Sequence, residues 1–272
     1  MLHWLKELDR VLRGEATRMA VLRGEDIRIP AGGLSVVAFL LAVVYGLCMG
    51  CFAVFRPDGP VYVQLAASAI KVPALFFLTL AVTFPSLYVF NALVGSRLNL
   101  PALFRLLIAS LGVNVAVLAS LGPILAFFSL STTSYSFMVL LNVLLFAVSG
   151  ALGLVFLLQT LNRLAAAPRA PVPPIAVSLP APPAGLPPEA ETPEVQIAEE
   201  PGALERLPGH VLGRQVKAVF NCWVVIFGLV GAQMGWVLRP FIGSPGTPFQ
   251  WFRTRESNFF EAIFQTLRSL FS

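Results

Sequence analysis

The chain has 272 residues, of which 57% are hydrophobic and only 12% are charged. Soluble domains average about 45–50% apolar and about 25% charged residues, so this composition excludes an ordinary soluble protein. The net charge of +5 comes from basic residues scattered along loops and helix ends, which favours topology signals and contact with lipid headgroups and argues against nucleic-acid binding.

Residues 1–30 predict a cytoplasmic amphipathic helix region. The apolar side chains there recur at a helical period and form one stripe. Its members are Trp4, Leu5, Leu8, Val11, Leu12, Met19 and Leu22. Such a stripe favours a position on the membrane surface or against a partner protein, with Trp4 as an interfacial anchor.

Five apolar stretches follow, and each is long enough to cross a bilayer. A hydrocarbon core about 30 Å thick takes about 20 helical residues. The stretches cover residues 33–55, 72–95, 107–129, 136–158 and 217–238. They predict an all-α polytopic membrane helix bundle of five transmembrane helices, with an amphipathic helix at each terminus. The first four spans form a unit over residues 31–163, and the fifth lies within residues 208–240.

A proline-rich and alanine-rich segment, residues 164–207, separates the fourth span from the fifth. Eleven prolines lie between Pro168 and Pro201. They prevent a continuous helix, and the segment has too little apolar surface to offset the entropy of ordering, so it predicts a disordered cytoplasmic linker. The alternative is a docking site for a protein with an aromatic groove.

Residues 241–272 predict an outer loop and an interfacial amphipathic helix. Trp251, Arg253 and Arg255 form an aromatic and basic group typical of an interfacial anchor. Asn258 and Glu261 have the spacing of a capping box. Apolar residues then recur at helical spacing as far as Phe271, which is the pattern of a helix on the bilayer surface.

The distribution of basic residues predicts the orientation. Thirteen Lys and Arg residues fall on the side of the N-terminus and the linker, and six fall on the other side. Under the positive-inside rule the N-terminus is cytoplasmic and the C-terminus is outside.

The predicted spans contain no Asp or Glu and few other polar residues. The absence of acids argues against a carboxylate relay or a carboxylate-bound cation. Lys71, at the outer start of the second span, is expected to extend to the headgroups. The amides Asn91, Asn114, Asn142, Asn221 and Gln233 remain inside the spans. They predict hydrogen bonds between helices or, alternatively, the lining of a polar path.

Glycines predict where helices approach closely. The first span carries Gly46 and Gly50, the fourth carries Gly150 and Gly153, and the fifth carries Gly228, Gly231 and Gly235. Small residues four apart allow two backbones to come together. We therefore expect the fifth helix to pack on the first helix through Gly231 and Gly46, or on a neighbouring protomer.

Three short segments resemble a group of uncharacterised bacterial five-helix inner-membrane proteins. They are Tyr-Gly-Leu-Cys-Met-Gly at 45–50, Leu-Tyr-Val-Phe-Asn-Ala-Leu-Val-Gly-Ser-Arg at 87–97 and Leu-Arg-Pro-Phe-Ile-Gly-Ser-Pro at 238–245. The chain is also loosely similar to Yip1-type membrane proteins, which have five spans. The resemblance implies a bacterial inner-membrane location and brings no catalytic residues with it.

The sequence shows no pattern of a catalytic, cofactor or metal site. Cys48 and Cys51 form a C-x-x-C on a membrane helix without the strand-to-helix context of a redox motif, so they predict packing residues. We therefore expect a non-enzymatic protein without cofactor or metal, whose partners are the lipid bilayer and other proteins or copies of itself. The favoured function is a structural or accessory subunit of a membrane assembly. The alternative is an oligomeric channel or transporter for a small solute, with a pore lined by Asn, Ser and Thr.

Overall fold

The computed structural model of the chain describes residues 2–13, 30–55, 59–93, 100–166, 203–243, 248–253 and 258–271. Over these residues the regular secondary structure is entirely α-helical, which confirms the predicted all-α class. The helices are α1 (Leu2–Leu12), α2 (Ala31–Val54), α3 (Tyr62–Leu93), α4 (Leu100–Ser131), α5 (Tyr135–Ala166), α6 (Ala203–Val237) and α7 (Phe259–Phe271).

Within the described ranges, four helices are long and apolar enough to cross a membrane. The qualifying stretches are Ala31–Val54, Tyr62–Val89, Leu100–Ser131 and Tyr135–Thr160, in α2 to α5. These agree with the first four predicted spans. The apolar part of α6, Asn221–Val237, is shorter, so a fifth transmembrane helix stays a prediction.

Several helices extend beyond the predicted apolar stretches. α3 begins at Tyr62 and α4 at Leu100, where the predicted spans begin at 72 and 107. A 32-residue helix is about 48 Å long, well beyond the bilayer core of about 30 Å. The hydropathy of the sequence predicts only the part of a helix that lies in the hydrocarbon core. The helix itself continues until its backbone hydrogen bonding ends, so it is longer than the predicted span.

Helices extend into both ends of the predicted linker. α5 continues to Ala166 and α6 begins at Ala203, so the first and last residues of the 164–207 segment are helical. The middle of the predicted linker lies outside the described residues.

Helix α2 lies in the middle of the bundle. It packs against α3 on one side and α4 on the other; α5 packs against α4, and α6 packs against α3 and touches α5. The largest buried side chains at the centre include Tyr45 and Met49 of α2 and Leu118 and Leu125 of α4. Dense packing of this kind supplies most of the association energy where surrounding lipid removes the hydrophobic driving force.

The N-terminal helix α1 packs on the bundle itself, against α2 and α4. Leu8 and Val11 are 4% and 1% exposed. Trp4 is half-buried above Gly33, where an added Cβ would lie 2.6 Å from Trp4 Cδ1. The missing side chain of Gly33 leaves space for the indole ring, so Trp4 contacts the bundle, and its role as an interfacial anchor stays a prediction. Met19 and Leu22 lie outside the described residues.

The C-terminal helix α7 packs against α5 and α6. The Glu261 backbone N–H donates to Asn258 Oδ1 at 2.9 Å, which confirms the predicted cap. Ser269 of α7 and Ser136 of α5 share a hydrogen bond of 3.1 Å between their hydroxyls. Thus α7 contacts the bundle at the end where α5 begins, whereas α1 covers the opposite end, where α2 begins.

Candidate functional site

Helices α3 and α6 form an antiparallel pair. Trp223 Nε1 donates to Ser86 Oγ at 3.2 Å. Farther along, a Cβ at Gly231 would lie 3.7 Å from Thr79 Cγ2, and a Cβ at Gly235 would lie 4.0 Å from Leu75 Cδ1. As residue numbers increase along α6, those of the contacting residues in α3 decrease, so the two helices run antiparallel. Helix α6 contacts the bundle mainly through α3.

The glycines of α2 contact α3, not α6. A Cβ at Gly46 would lie 2.6 Å from the Ser68 carbonyl oxygen, and a Cβ at Gly50 would lie 2.8 Å from Leu65 Cα. The predicted packing of Gly46 against Gly231 is therefore wrong within the chain. Helix α3 lies between α2 and α6, and it presents a different side to each of them.

Of the two predicted packing glycines of α5, Gly153 contacts α4 closely and Gly150 does not. A Cβ at Gly153 would lie 2.8 Å from Asn114 Cβ on α4, and Ser110 Oγ donates to the Gly153 carbonyl at 2.7 Å. At Gly150, and likewise at Gly228 of α6, an added Cβ has no heavy atom of the described residues within 4 Å.

Polar side chains at the start of α3 bind the backbone that follows α6. Gln64 Nε2 donates to the carbonyls of Pro240 and Phe241, at 3.2 and 2.6 Å. Ser68 Oγ donates to the Phe241 carbonyl and to the Gln64 carbonyl within its own helix. Both side chains are buried, at 2% and 0% exposure, so they satisfy carbonyls that would otherwise lack a partner.

Lys71 continues this row one turn farther along α3, and we name Gln64, Ser68 and Lys71 the carbonyl clamp. Lys71 Nζ donates to the Pro240 carbonyl at 3.0 Å and also to the Trp251 carbonyl. The ammonium lies 5.9 Å from the ring centroid of Trp251 and 5.2 Å from that of Phe252. Lys71 is only 3% exposed, so the expectation that it extends to the headgroups is wrong.

Replacing Lys71 with methionine is expected to loosen the segment after α6. The change keeps the length of the side chain but removes the donor to two carbonyls, and a hydrogen bond to a charged group contributes about 1.5–3 kcal/mol. Hydrogen exchange of residues 238–243 in micelles, followed by mass spectrometry, should become at least about tenfold faster.

The matched control is Lys6→Met, because Lys6 is an exposed lysine of α1. It should leave that exchange unchanged. Equal protection of residues 238–243 in Lys71→Met and in the unaltered protein would show that the clamp does not hold the segment.

Two of the predicted amides lie inside the bundle. Tyr45 Oη donates to Asn142 Oδ1 at 3.1 Å, joining α2 to α5, and Asn142 Nδ2 donates to the Met138 carbonyl. Asn114 faces Gly153, and its buried Oδ1 has no hydrogen-bond partner among the described residues. Gly153 is eleven residues beyond Asn142 on α5, which separates the two amides by about 16 Å along the helix.

The remaining amides do not join these two. Asn221 and Gln233 of α6 are exposed on the outer face of the bundle. The side chain of Asn91 lies outside the part of the chain that the structure describes. Thus Asn114, Asn142 and Asn221, three of the amides considered for the lining of a polar path, occupy three separate places in the protein.

The predicted interfacial anchor near the C-terminus is linked to the carbonyl clamp. Trp251 remains 48% exposed while its carbonyl accepts from Lys71. Arg253 is partly buried, and Arg255 lies outside the described residues. Arg239, at the end of α6, places its guanidinium 3.5 Å from the ring centroid of Trp236.

Gln64, Ser68 and Tyr45 are not among the site residues predicted from the sequence. A signal for the first two exists, because Gln64, Ser68 and Lys71 follow i, i+4, i+7 spacing and so lie on one side of an otherwise apolar helix. No such local signal marks Tyr45, whose partner Asn142 is 97 residues away.

Within the described residues, no three His, Cys, Asp or Glu side chains come together in an arrangement that could hold a metal ion. Comparisons of the chain with protein-family models, with characterised proteins and with solved structures find no match. The class that the fold defines is therefore a helical bundle with four helices able to cross a membrane.

Proposed function

We propose that the chain is a non-enzymatic integral membrane protein that serves as a structural or accessory subunit of a membrane assembly. In this proposal it crosses the bacterial inner membrane five times, with the N-terminus in the cytoplasm and the C-terminus outside. The similarity to bacterial five-helix inner-membrane proteins belongs to the same proposal.

The observation that carries the functional proposal is the use of buried polar groups inside the bundle. Tyr45 and Asn142 bind each other, Ser110 binds the Gly153 carbonyl, and the carbonyl clamp binds the segment after α6. These contacts fasten helices to one another. Polar groups used in this way support a rigid framework better than a solute path within one chain.

The positions of the two ends of the chain support the proposed topology. α1 covers the end of the bundle where α2 begins, whereas α7 and the segment bound by the clamp lie at the end where α3 and α5 begin. Opposite ends are what an odd number of crossings produces. With α2 to α5 as four crossings, α6 supplies the fifth.

Purification from native membranes in mild detergent tests the proposed function. A subunit should retain a partner protein in fixed stoichiometry after size-exclusion chromatography, and the Lys71→Met variant, with its loosened outer segment, reports whether that segment takes part. A chain that purifies without any partner contradicts the proposal.

Reconstitution into liposomes provides the second half of the test. A structural subunit should give no solute flux above that of protein-free liposomes. Flux that is present with the unaltered protein and lost in Asn114→Leu would overturn the proposal in favour of a channel or transporter.

A further inference from the structure

In the proposed topology α6 crosses the membrane, and its outer face then carries two amides within the bilayer. Asn221 lies four residues after Lys217, and Gln233 lies six residues before Arg239, so both are about 6–9 Å inside the charged ends of the apolar run. Both are exposed, and neither makes a hydrogen bond within the described part of the chain. Asn114 and Asn142, in contrast, are buried in the bundle.

Lipid tails offer no hydrogen-bond partner, so an amide that faces them is unsatisfied. Membrane helices usually avoid this cost by pairing such residues across a helix interface. The two amides therefore indicate that another helix covers this face of α6.

The exposed residues of this face follow one ridge. Asn221, Val225, Leu229 and Gln233 are spaced by four residues, and Val225 and Leu229 are 62% and 47% exposed. Rows with i±4 spacing are the ridges of the helix packing class that crosses at about −50°. The opposite side of α6, with the fully buried Trp223, is the one that contacts α3.

A row of small residues lies beside the ridge. Gly228 is exposed and has no neighbour within 4 Å of an added Cβ, and Ala232 follows it at i+4. Two small residues at this spacing form a shallow groove that permits close approach of a second backbone, at a crossing of about −40°. Ridge and groove on the same helix face are therefore complementary in shape and in crossing angle.

We propose that the α6 face formed by Asn221, Val225, Gly228, Leu229, Ala232 and Gln233 binds the same face of a second copy of this chain, giving a parallel homodimer. Two copies inserted in one orientation are related by a two-fold axis along the membrane normal, so each residue near the axis meets its own counterpart. An amide both donates and accepts, so Asn221 pairs with Asn221 and Gln233 with Gln233. The Leu229 and Val225 side chains of one copy pack beside Gly228 of the other.

The homodimer rests on the proposed crossing of the membrane by α6 but not on the proposed function, because a homodimer serves a structural subunit and a channel equally well. Its test is also separate from the earlier one. If no dimer is found, the partner and flux measurements still decide the function. A flux result, in turn, does not contradict the dimer.

Cysteine crosslinking in liposomes tests the contact directly. The background chain has Cys48, Cys51 and Cys222 replaced by alanine, and Val225→Cys or Leu229→Cys is introduced. Both positions should give disulfide-linked dimers that persist when the protein is diluted in lipid. The control is Leu152→Cys on α5, which is exposed to a similar extent, at 47%, and should give only collisional crosslinks that disappear on dilution.

Two kinds of variant then separate this surface from a nonspecific association. Gly228→Leu fills the groove from a position where an added Cβ has no heavy atom of the described residues within 4 Å. The purified protein should therefore keep its melting temperature while the Leu229→Cys crosslink falls at least about tenfold. The double variant Asn221→Leu, Gln233→Leu should weaken dimerisation roughly five- to tenfold. Gln159→Leu removes an exposed amide of α5 and should leave the dimer unchanged.

Three outcomes overturn the proposal. One is a monomer at every protein-to-lipid ratio, and another is a dimer that Gly228→Leu does not weaken. The third is crosslinking of Val225→Cys, in native membranes, to a different protein and not to a second copy, which assigns the face to a heteromeric contact.

Discussion

Replacing Gly46 with leucine is expected to separate α2 from α3 and to lower the free energy of unfolding by about 3 kcal/mol, at the upper end for overpacked cores. The Cβ alone would lie 2.6 Å from the Ser68 carbonyl oxygen and 2.8 Å from Ala69 Cα. Both are backbone atoms of α3, so the helix as a whole has to move. Because the clash begins at the Cβ, Gly46→Ala should show most of the effect.

Unfolding of the purified protein in micelles, by heat or by SDS titration, measures this effect. The control is Gly150→Leu, which adds the same side chain to another membrane helix at a position with no neighbour within 4 Å. Gly150→Leu should unfold close to the unaltered protein. Equal stability of the Gly46 and Gly150 variants would mean that α2 and α3 are not in close contact.

A second consequence of Gly46→Leu reaches the end of the chain. Ser68 belongs to the carbonyl clamp and donates to the Phe241 carbonyl, so a shift of α3 at Ser68 also displaces the segment after α6. Exchange of residues 238–243 should rise in Gly46→Leu and stay low in Gly150→Leu. The contact with α2 and the carbonyl clamp thus lie on two sides of the same part of α3.

The sequence was sufficient for the number and approximate place of the four long spans, because hydropathy reports directly on the solvent around a helix. It was not sufficient for the helix ends. α3 gains its first ten residues, 62–71, outside the predicted span, and the whole carbonyl clamp lies in them. The polar side chains of the clamp lower the local hydropathy. Because the predicted span is drawn from hydropathy, its start lies after these residues.

The helical period in α1 predicted an amphipathic helix, and the helix is present. Period alone identifies the apolar side but not what covers it. Here Leu8 and Val11 are covered by α2 and α4, while Leu5 and Leu12 stay 44% and 47% exposed. The indole of Trp4 fits above Gly33, a contact that depends on the arrangement of three helices.

The spacing of the glycines likewise does not identify the helix that they contact. Gly46 and Gly50 do mark a close approach, but the helix they approach depends on the order of helices in the bundle, which short-range spacing does not encode. Lys71 is the most extreme case, because its two carbonyl partners lie 169 and 180 residues farther along the chain. A lone lysine near a span end has the same local sequence whether it extends to headgroups or binds buried carbonyls.

Replacing Trp223 with alanine is expected to release α6 from α3, with a loss of about 3–5 kcal/mol, typical for a fully buried tryptophan. Trp223 is 0% exposed, and its ring centroid lies 5.2 Å from that of Phe227. Its indole N–H donates to Ser86 Oγ and, at 3.4 Å, to the Thr83 carbonyl. In the proposed topology the helices around this site lie in lipid, so no hydrophobic force closes the cavity that alanine leaves.

A disulfide between α3 and α6 gives the readout. In the cysteine-free chain, Thr79→Cys and Gly231→Cys should form an intramolecular bond, because Thr79 Cγ2 lies 3.7 Å from a Cβ built at Gly231. The yield of this disulfide should fall sharply in Trp223→Ala.

Two further variants assign the loss to packing or to hydrogen bonding. Trp223→Phe keeps most of the ring volume but removes the N–H, so it should cost only about 1 kcal/mol and retain most of the crosslink. Phe127→Ala removes a large ring from a position that is 62% exposed and should have no effect on it. If Trp223→Ala crosslinks as efficiently as Phe127→Ala, then Trp223 does not hold α6 in place, and the glycine contacts at Thr79 and Leu75 must suffice for the attachment.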